Sequence, residues 1–430
     1  IMLEKIFKLK TNKTSLKKEI LAGMTTFVTM SYIIFVNPQM MAASGMDQGA
    51  SFVGTCLAAS LACFFMGLYA NWPVGLAPGM GLNAFFTYTV VGGMGYSWEV
   101  ALGAVFWAGI LFTLMSITPL RKWMLDGIPL NLRIAMGSGV GLFIGLIGLK
   151  SGGIIIANNS TLVTLGDLSQ PTTIMAVLGF LLISILSVRK ISGSIIIGIF
   201  VITFLAIVFN FIEFKGILSA PPDFLPVFMK LDIFGALDVA MIGIIISFLF
   251  VNFFDTTGTL LSIASRAKLT NKSGKIKNID KALKADSSSS IIGSFFGCAP
   301  VTSYVESSAG VEIGGRTGLT AVITGIGFLL SIFFSPLAEI IPPYATAGAL
   351  IYIAILMLSD MERLDWSEIT EIFPALIIIV MIPLTFSIAN GIALGFISYV
   401  AIKIASNKYK EVSLGAWFLT VIFLAKFVFL

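Results

Sequence analysis

The chain has 430 residues, 57% of them hydrophobic and 11% charged, less than half the roughly 25% charge of a soluble domain. It has no histidine, and its three cysteines (Cys56, Cys63 and Cys298) sit in apolar runs without metal-ligand spacing. That composition argues against a disulfide framework and a zinc site, and the lack of a G-x-x-x-x-G-K-S/T loop argues against an ATP-driven pump.

The N-terminus carries Lys5, Lys8, Lys10, Lys13, Lys17 and Lys18 ahead of a full-length apolar run. It reads as a cytoplasmic anchor rather than a cleaved signal peptide, because no short apolar region ends in a cleavage motif. A hydrocarbon core about 30 Å thick needs roughly 20 apolar residues per helix. On that measure the spacing predicts spans near 19–42, 51–70, 71–92, 97–118, 129–149, 172–189 and 192–212. A second set follows near 237–263, 286–298, 300–314, 317–340, 343–359, 372–387 and 388–405, fourteen in all. The remaining 406–430 is expected to be a surface-lying apolar segment. The fold class is thus an all-α polytopic membrane protein.

With the N-terminus in the cytoplasm, alternate loops collect Arg121, Lys122, Arg133, Arg189 and Lys190, then the run from Arg266 to Lys284, then Arg316, Arg363 and the tail lysines. Of the 27 lysines and arginines only Lys150, Lys215 and Lys230 fall on the other side, a strong positive-inside bias that places both termini in the cytoplasm. The net charge of +5 therefore speaks for a membrane and its lipid rather than for nucleic acid. The basic loop "SRAKLTNKSGKIKNIDKALKAD" reads as a solvated loop.

The two halves share an order of features. "GILFTLMSITPL" followed by "GIPLNLRIAMGSGVGLFIGLIGL" matches "GIGFLLSIFFSPL" followed by "IIPPYATAGALIYIAILML", and "GLAPGMGLNAFF" (75–86) matches "GCAPVTSYVESS" (297–308). Seven spans per half is odd, so the second copy enters the membrane upside down, as in secondary transporters built from inverted repeats. The third and tenth spans are rich in Pro, Gly and polar residues. Backbone of that kind must line a cavity or be buried in protein, and a short extended piece (Val74–Pro78, Val301–Tyr304) followed by a half-helix is expected in each.

Asn83 and Glu306 lie just after those pieces, and Asp255 stands inside the apolar eighth span "LFVNFFDTTGTLL". An acidic side chain at the bilayer centre costs about 2.5–3.5 kcal/mol on insertion scales, so a compensating cavity, ligand or proton is implied. Two carboxyls and an amide call for a ligand with hydrogen-bond donors and a mixed donor–acceptor edge, such as a flat nucleobase. Phe85, Phe253, Phe254 and Tyr304 are available for stacking. Each residue has an ordinary alternative: helix glue for Asn83 and Glu306, a cap for Asp255, core packing for the rings. Glu312, four residues before Arg316, is expected to form a helix ion pair. Without histidine, a desolvated carboxyl is the natural proton-coupling group; sodium coupling and uncoupled passage stay open at this point. An anion carrier or channel of the same fold should present positive charge at the breaks, an integral-membrane enzyme a metal cluster or nucleophile–base pair. A receptor without transport is separated from a carrier by uptake.

The stretches "EILAGMTTFVTMSYIIFVNPQMM" (19–41), "LFVNFFDTTGTLL" and "VTSYVESSAGVEIGGRTGLT" (301–320) resemble the adenine/guanine/hypoxanthine permease branch of the nucleobase–ascorbate transporter superfamily over nearly the whole chain. The resemblance implies a seven-plus-seven inverted repeat, with a core domain at 19–127 and 237–340 and a gate domain at 128–236 and 341–405, behind a basic 1–18. It implies proton–purine symport, with the proton as coupling ion and no other cofactor, by an elevator-like movement, often in a homodimer. Glu306, Asn83 and Asp255 then correspond to base-binding positions, Asp255 and Glu306 also to proton coupling, with Thr256, Ser303 and the backbone at Gly81 as further contacts. The "SSAG" after Glu306 departs from the Asn-x-Gly pattern of the uracil and xanthine branches, which remain the alternative.

Overall fold

The computed structural model describes residues 2–119, 127–269 and 276–429; Arg121, Lys122, Lys272 and Lys275 of the basic loops lie outside them. A short helix α1 (Met2–Phe7) leads to α2 (Leu16–Met30), where the N-cap Ser15 accepts a hydrogen bond from the Lys18 N–H. After a break at Ser31–Tyr32 the span resumes as α3 (Ile33–Ala43). The antiparallel neighbour α4 (Gln48–Phe65), capped by Asp47, winds on to Ala70. A three-residue strand β1 (Leu76–Pro78) and the short helix α5 (Met80–Ala84, continued to Val91 with a wider turn) make up the third span. Then come α6 (Trp98–Ile117), α7 (Leu130–Ser151), an exposed hairpin β2–β3 (Ile155–Asn158, Leu162–Leu165), α8 (Pro171–Val188) and α9 (Ser194–Val208).

The second half runs through α10 (Ile242–Arg266), α11 (Ile279–Phe295), β4 (Val301–Ser303), α12 (Ser307–Ile313), α13 (Gly318–Ser331), α14 (Ser335–Ile340), α15 (Pro343–Leu358), α16 (Ile369–Leu384) and α17 (Ile388–Ala405), ending in α18 (Leu414–Phe429). Among the described residues 9 helices are long and apolar enough to cross a membrane, with shorter apolar helices at Met80–Val91, Ser194–Val208, Ile369–Leu384 and Leu414–Ala425. The protein is a multi-pass helical membrane protein.

Two placements differ from the sequence expectation. The ninth segment begins at Ile279, not 286, so Lys281 and Lys284 of the supposed loop lie on α11, and Asp286 is carried inside. Asn278, in the left-handed conformation, turns the chain into that helix. The tail, expected to lie on the surface, buries Ala416, Leu419, Thr420 and Phe423 and packs on α17. Its outward residues Leu414, Phe418, Val421 and Leu424 are apolar as well, so its described side chains show no polar face of the kind that a surface-lying helix turns to water.

The helices pack in two groups. One holds α2, α3, α4, α6, α10, α11, α12 and α13, the other α7, α8, α9, α15, α16 and α17. They meet along a seam where α5 and α10 touch α7, and α10 touches α17. At the centre of the first group β1 and β4 pair antiparallel, Leu76 opposite Ser303 and Pro78 opposite Val301. Unwound backbone inside a membrane needs partners, and each broken span supplies them to the other. The Gly79 N–H adds a bond to the Pro300 carbonyl (2.9 Å) and the Tyr304 N–H one to the Gly75 carbonyl (3.0 Å). Antiparallel pairing of corresponding pieces is what two halves of opposite orientation produce. A fully buried Glu19 on α2 fastens the group at one end, accepting from the Arg316 N–H (2.8 Å), the Thr320 N–H (3.2 Å) and the Thr320 hydroxyl (2.6 Å) at the start of α13.

Candidate functional site

Asn83 lies on α5, one helical turn after Gly79, whose carbonyl accepts its N–H (2.9 Å). Its side chain has 0% exposure, and neither the amide nitrogen nor the amide oxygen has a partner. A buried polar group without a hydrogen bond costs about 1–3 kcal/mol. A donor and an acceptor held side by side and left open are a binding edge for a molecule with the complementary pattern.

Across the paired strands stands Glu306, the residue before α12. The Tyr32 hydroxyl, at the break between α2 and α3, donates to its Oε1 (2.7 Å), and the Thr29 hydroxyl reaches its backbone carbonyl (3.4 Å). The Tyr304 ring is 6.5 Å from that of Tyr32, and its hydroxyl donates to the Pro78 carbonyl (2.5 Å), joining the two broken spans. Asp255 lies midway along α10, within electrostatic reach of Glu306 and Asp286. It is exposed, although Phe253 and Thr256 on either side of the Phe254–Asp255 pair are fully buried. The exposure continues through Gly258, Leu261 and Ser265 towards Arg266, while the stretch Gly243–Phe253 is buried apart from Ile246. The stripe carries Asp255, Gly258 and Ser265 beside the apolar Leu261.

Asp286 was not expected at the site. It is fully buried on α11 and accepts from the Thr256 hydroxyl (2.7 Å), the Ser303 N–H (2.7 Å) and the Ser303 hydroxyl (2.5 Å). Thr256 also bonds Thr302 (2.9 Å), and Asn252 holds Ser290 (2.8 Å), which donates to the Val301 carbonyl (2.9 Å). These groups fix β4 to α10 and α11. The Thr256 and Ser303 hydroxyls, expected as base contacts, donate hydrogen bonds to Asp286. Phe85, expected as a stacking ring, is fully buried with its edge on Phe248 (5.0 Å), and Phe253 is turned onto Phe112 (5.7 Å). The rings beside Glu306 are Tyr32 and Tyr304. Gly81 faces α7, where a Cβ would stand 1.9 Å from the Val140 side chain. Glu312 pairs with Arg266 (3.1 Å) rather than Arg316, because α12 ends at Ile313 and the glycines 314 and 315 turn the chain away.

Two broken spans crossed at the centre of oppositely oriented halves, with an open amide and two carboxyls at the crossing, define a secondary carrier of the inverted-repeat class. The chain belongs to the Permease family (Xan_ur_permease), whose model matches residues 17–428. It is 47% identical over 429 residues to the adenine permease AdeP of Escherichia coli (strain K12), covering 100% of this chain and 96% of that one. It is 43% identical over 415 residues to the guanine/hypoxanthine permease PbuO of Bacillus subtilis (strain 168), covering 95% and 96%. The fold is also that of the transmembrane domain of the cyanobacterial bicarbonate transporter BicA, with a TM-score of 0.62 at 16% identity over 91% of this chain and 97% of that one. Murine Slc26a9 in its inward-facing state gives 0.64 at 13% identity over 92% and 69%.

Proposed function

We propose that the protein is a proton-coupled importer of purine nucleobases in the cell membrane, with both termini cytoplasmic. The observation that carries the reading is the fully buried Asn83 amide with both polar atoms open, on the same strand crossing as Glu306 and on a helix that touches the Asp255-bearing α10. A purine offers ring nitrogens and an exocyclic group that complement an amide edge, and N–H donors for a carboxyl. The names of the relatives, adenine permease and guanine/hypoxanthine permease, favour adenine, guanine and hypoxanthine over uracil or xanthine. Asp255 and Glu306 are the candidate proton carriers in a chain without histidine, and the proton is the coupling ion. The movement proposed is a slide of the α5- and α10-bearing group against the α7 group.

The test is uptake of radiolabelled adenine, guanine, hypoxanthine and uracil by cells expressing the protein, with and without a protonophore, beside Glu306→Ala. Purine uptake is expected to collapse with the protonophore and to fall to background in the variant. Wild-type uptake by Glu306→Ala overturns the site; uptake of uracil alone overturns the purine reading.

A further inference from the structure

We infer that Tyr32 is a positioning residue that fixes the Glu306 carboxyl for the base. The inference rests on the purine reading above. Tyr32 is 1% exposed and sits where the first span breaks, between Met30 and Ile33. The break is held on both sides, by the Ser31 hydroxyl on the Val28 carbonyl (2.9 Å) and by the Phe35 and Val36 N–H groups on the Tyr32 carbonyl (3.1 Å each). The ring is therefore anchored in the backbone rather than carried on a mobile loop. The span that bears it is fixed to the Glu306 segment independently: a Cβ on Gly310 would stand 2.1 Å from the Thr26 hydroxyl and 2.5 Å from the Ala22 carbonyl, so α12 and α2 approach as closely as backbones can.

From that footing the Tyr32 hydroxyl takes one lone pair of Glu306 Oε1 at 2.7 Å. A carboxyl has about four such sites, so the Tyr32 hydroxyl and the Glu306 backbone N–H together leave acceptor capacity for a ligand. Tyr304, the other tyrosine beside Glu306, has its hydroxyl on the Pro78 carbonyl, which leaves Tyr32 as the side chain that, with the Glu306 backbone N–H, orients the carboxyl. A carboxyl already held in its binding rotamer loses less freedom when the base arrives. Tyr32 thus acts through Glu306 and not on the base.

The experiment is a double-mutant cycle read by adenine titration of the purified transporter, with uptake kinetics and thermal unfolding on the same samples. The variants are Tyr32→Phe, which keeps the ring, Glu306→Asp, whose shorter side chain withdraws from the hydroxyl, and the pair. Tyr32→Phe is expected to weaken adenine binding and raise KM about tenfold, the loss of one hydrogen bond to a carboxyl. Its maximal uptake rate should stay near wild type and its unfolding temperature unchanged. In the Glu306→Asp background the same substitution is expected to add little. Wild-type affinity in Tyr32→Phe, or an equal loss in both backgrounds, overturns the role of Tyr32. Failure of the unaltered protein to bind any purine overturns the reading beneath it instead.

Discussion

Asn83 and Asp286 are both fully buried polar residues, and their relations to the surrounding protein are opposite. Asp286 accepts three hydrogen bonds and ties β4 in place, whereas the Asn83 amide has no partner. Removing a satisfied group strands its partners; removing an unsatisfied one relieves a penalty of about 1–3 kcal/mol. Asn83→Ala is therefore expected to leave the unfolding temperature of the ligand-free protein unchanged or higher, while adenine binding weakens about 10- to 100-fold, the worth of one to two hydrogen bonds. Differential scanning fluorimetry and ligand titration on one preparation check both halves. A marked fall in unfolding temperature would assign Asn83 to the scaffold. Asn83, Asp255 and Glu306 were legible in the sequence because an amide or carboxyl in an apolar run is conspicuous on its own. Asp286 was not: it follows "KALKA", whose lysines make the stretch look like loop until the helix is seen to start at Ile279. Tyr32 was hidden for another reason, since a tyrosine in an apolar span is unremarkable without its partner.

At the scale of elements, the broken third and tenth spans were legible because proline and glycine in membrane-length runs leave few alternatives. Their mutual pairing was not, since a three-residue strand has no periodicity to read. The Glu312 expectation failed similarly: spacing of four predicts an ion pair only if one helix carries both residues, and α12 ends at Ile313. Gly81 shows what the third span needs from its neighbour. A Cβ there would lie 1.9 Å from the Val140 Cγ1, far inside contact distance, so α5 can lie against α7 only with glycine. Gly81→Ala is expected to push the two apart and cut purine uptake at least about tenfold, overpacking of this kind costing about 1–3 kcal/mol. Val140→Ala clears the space, so the pair Gly81→Ala with Val140→Ala should recover most of the uptake. Uptake at the wild-type rate in Gly81→Ala alone, with protein amount matched, would show that the contact is not needed.

Over the whole molecule, side-chain hydrogen bonds fasten the two helix groups to each other at one end of the seam. The exposed stripe from Asp255 to Arg266 on α10 runs towards the end that bears the basic loop. At the opposite end Gln39, near the close of the first span, reaches from α3 to the other group: its Nε2 donates to the Ile341 carbonyl (2.6 Å), and the Thr346 hydroxyl of α15 donates to its Oε1 (2.8 Å). Thr89 on the third span likewise donates to the Phe386 carbonyl, in the turn between α16 and α17. A carrier must expose its site to the two sides in turn, so a latch that closes one side has to part in every cycle. Fixing it permanently should then stop transport without unfolding anything. The three native cysteines are buried and unpaired, which leaves Gln39→Cys with Thr346→Cys as the reactive pair. A short bis-methanethiosulfonate cross-linker on that double variant is expected to abolish purine uptake, and reductant to restore it, while either single variant treated alike keeps transporting. Adenine binding that survives in the cross-linked protein while uptake is lost would separate a blocked movement from a damaged site. Undiminished uptake at complete cross-linking would mean that Gln39 and Thr346 stay together throughout the cycle, and the moving seam would have to be drawn elsewhere.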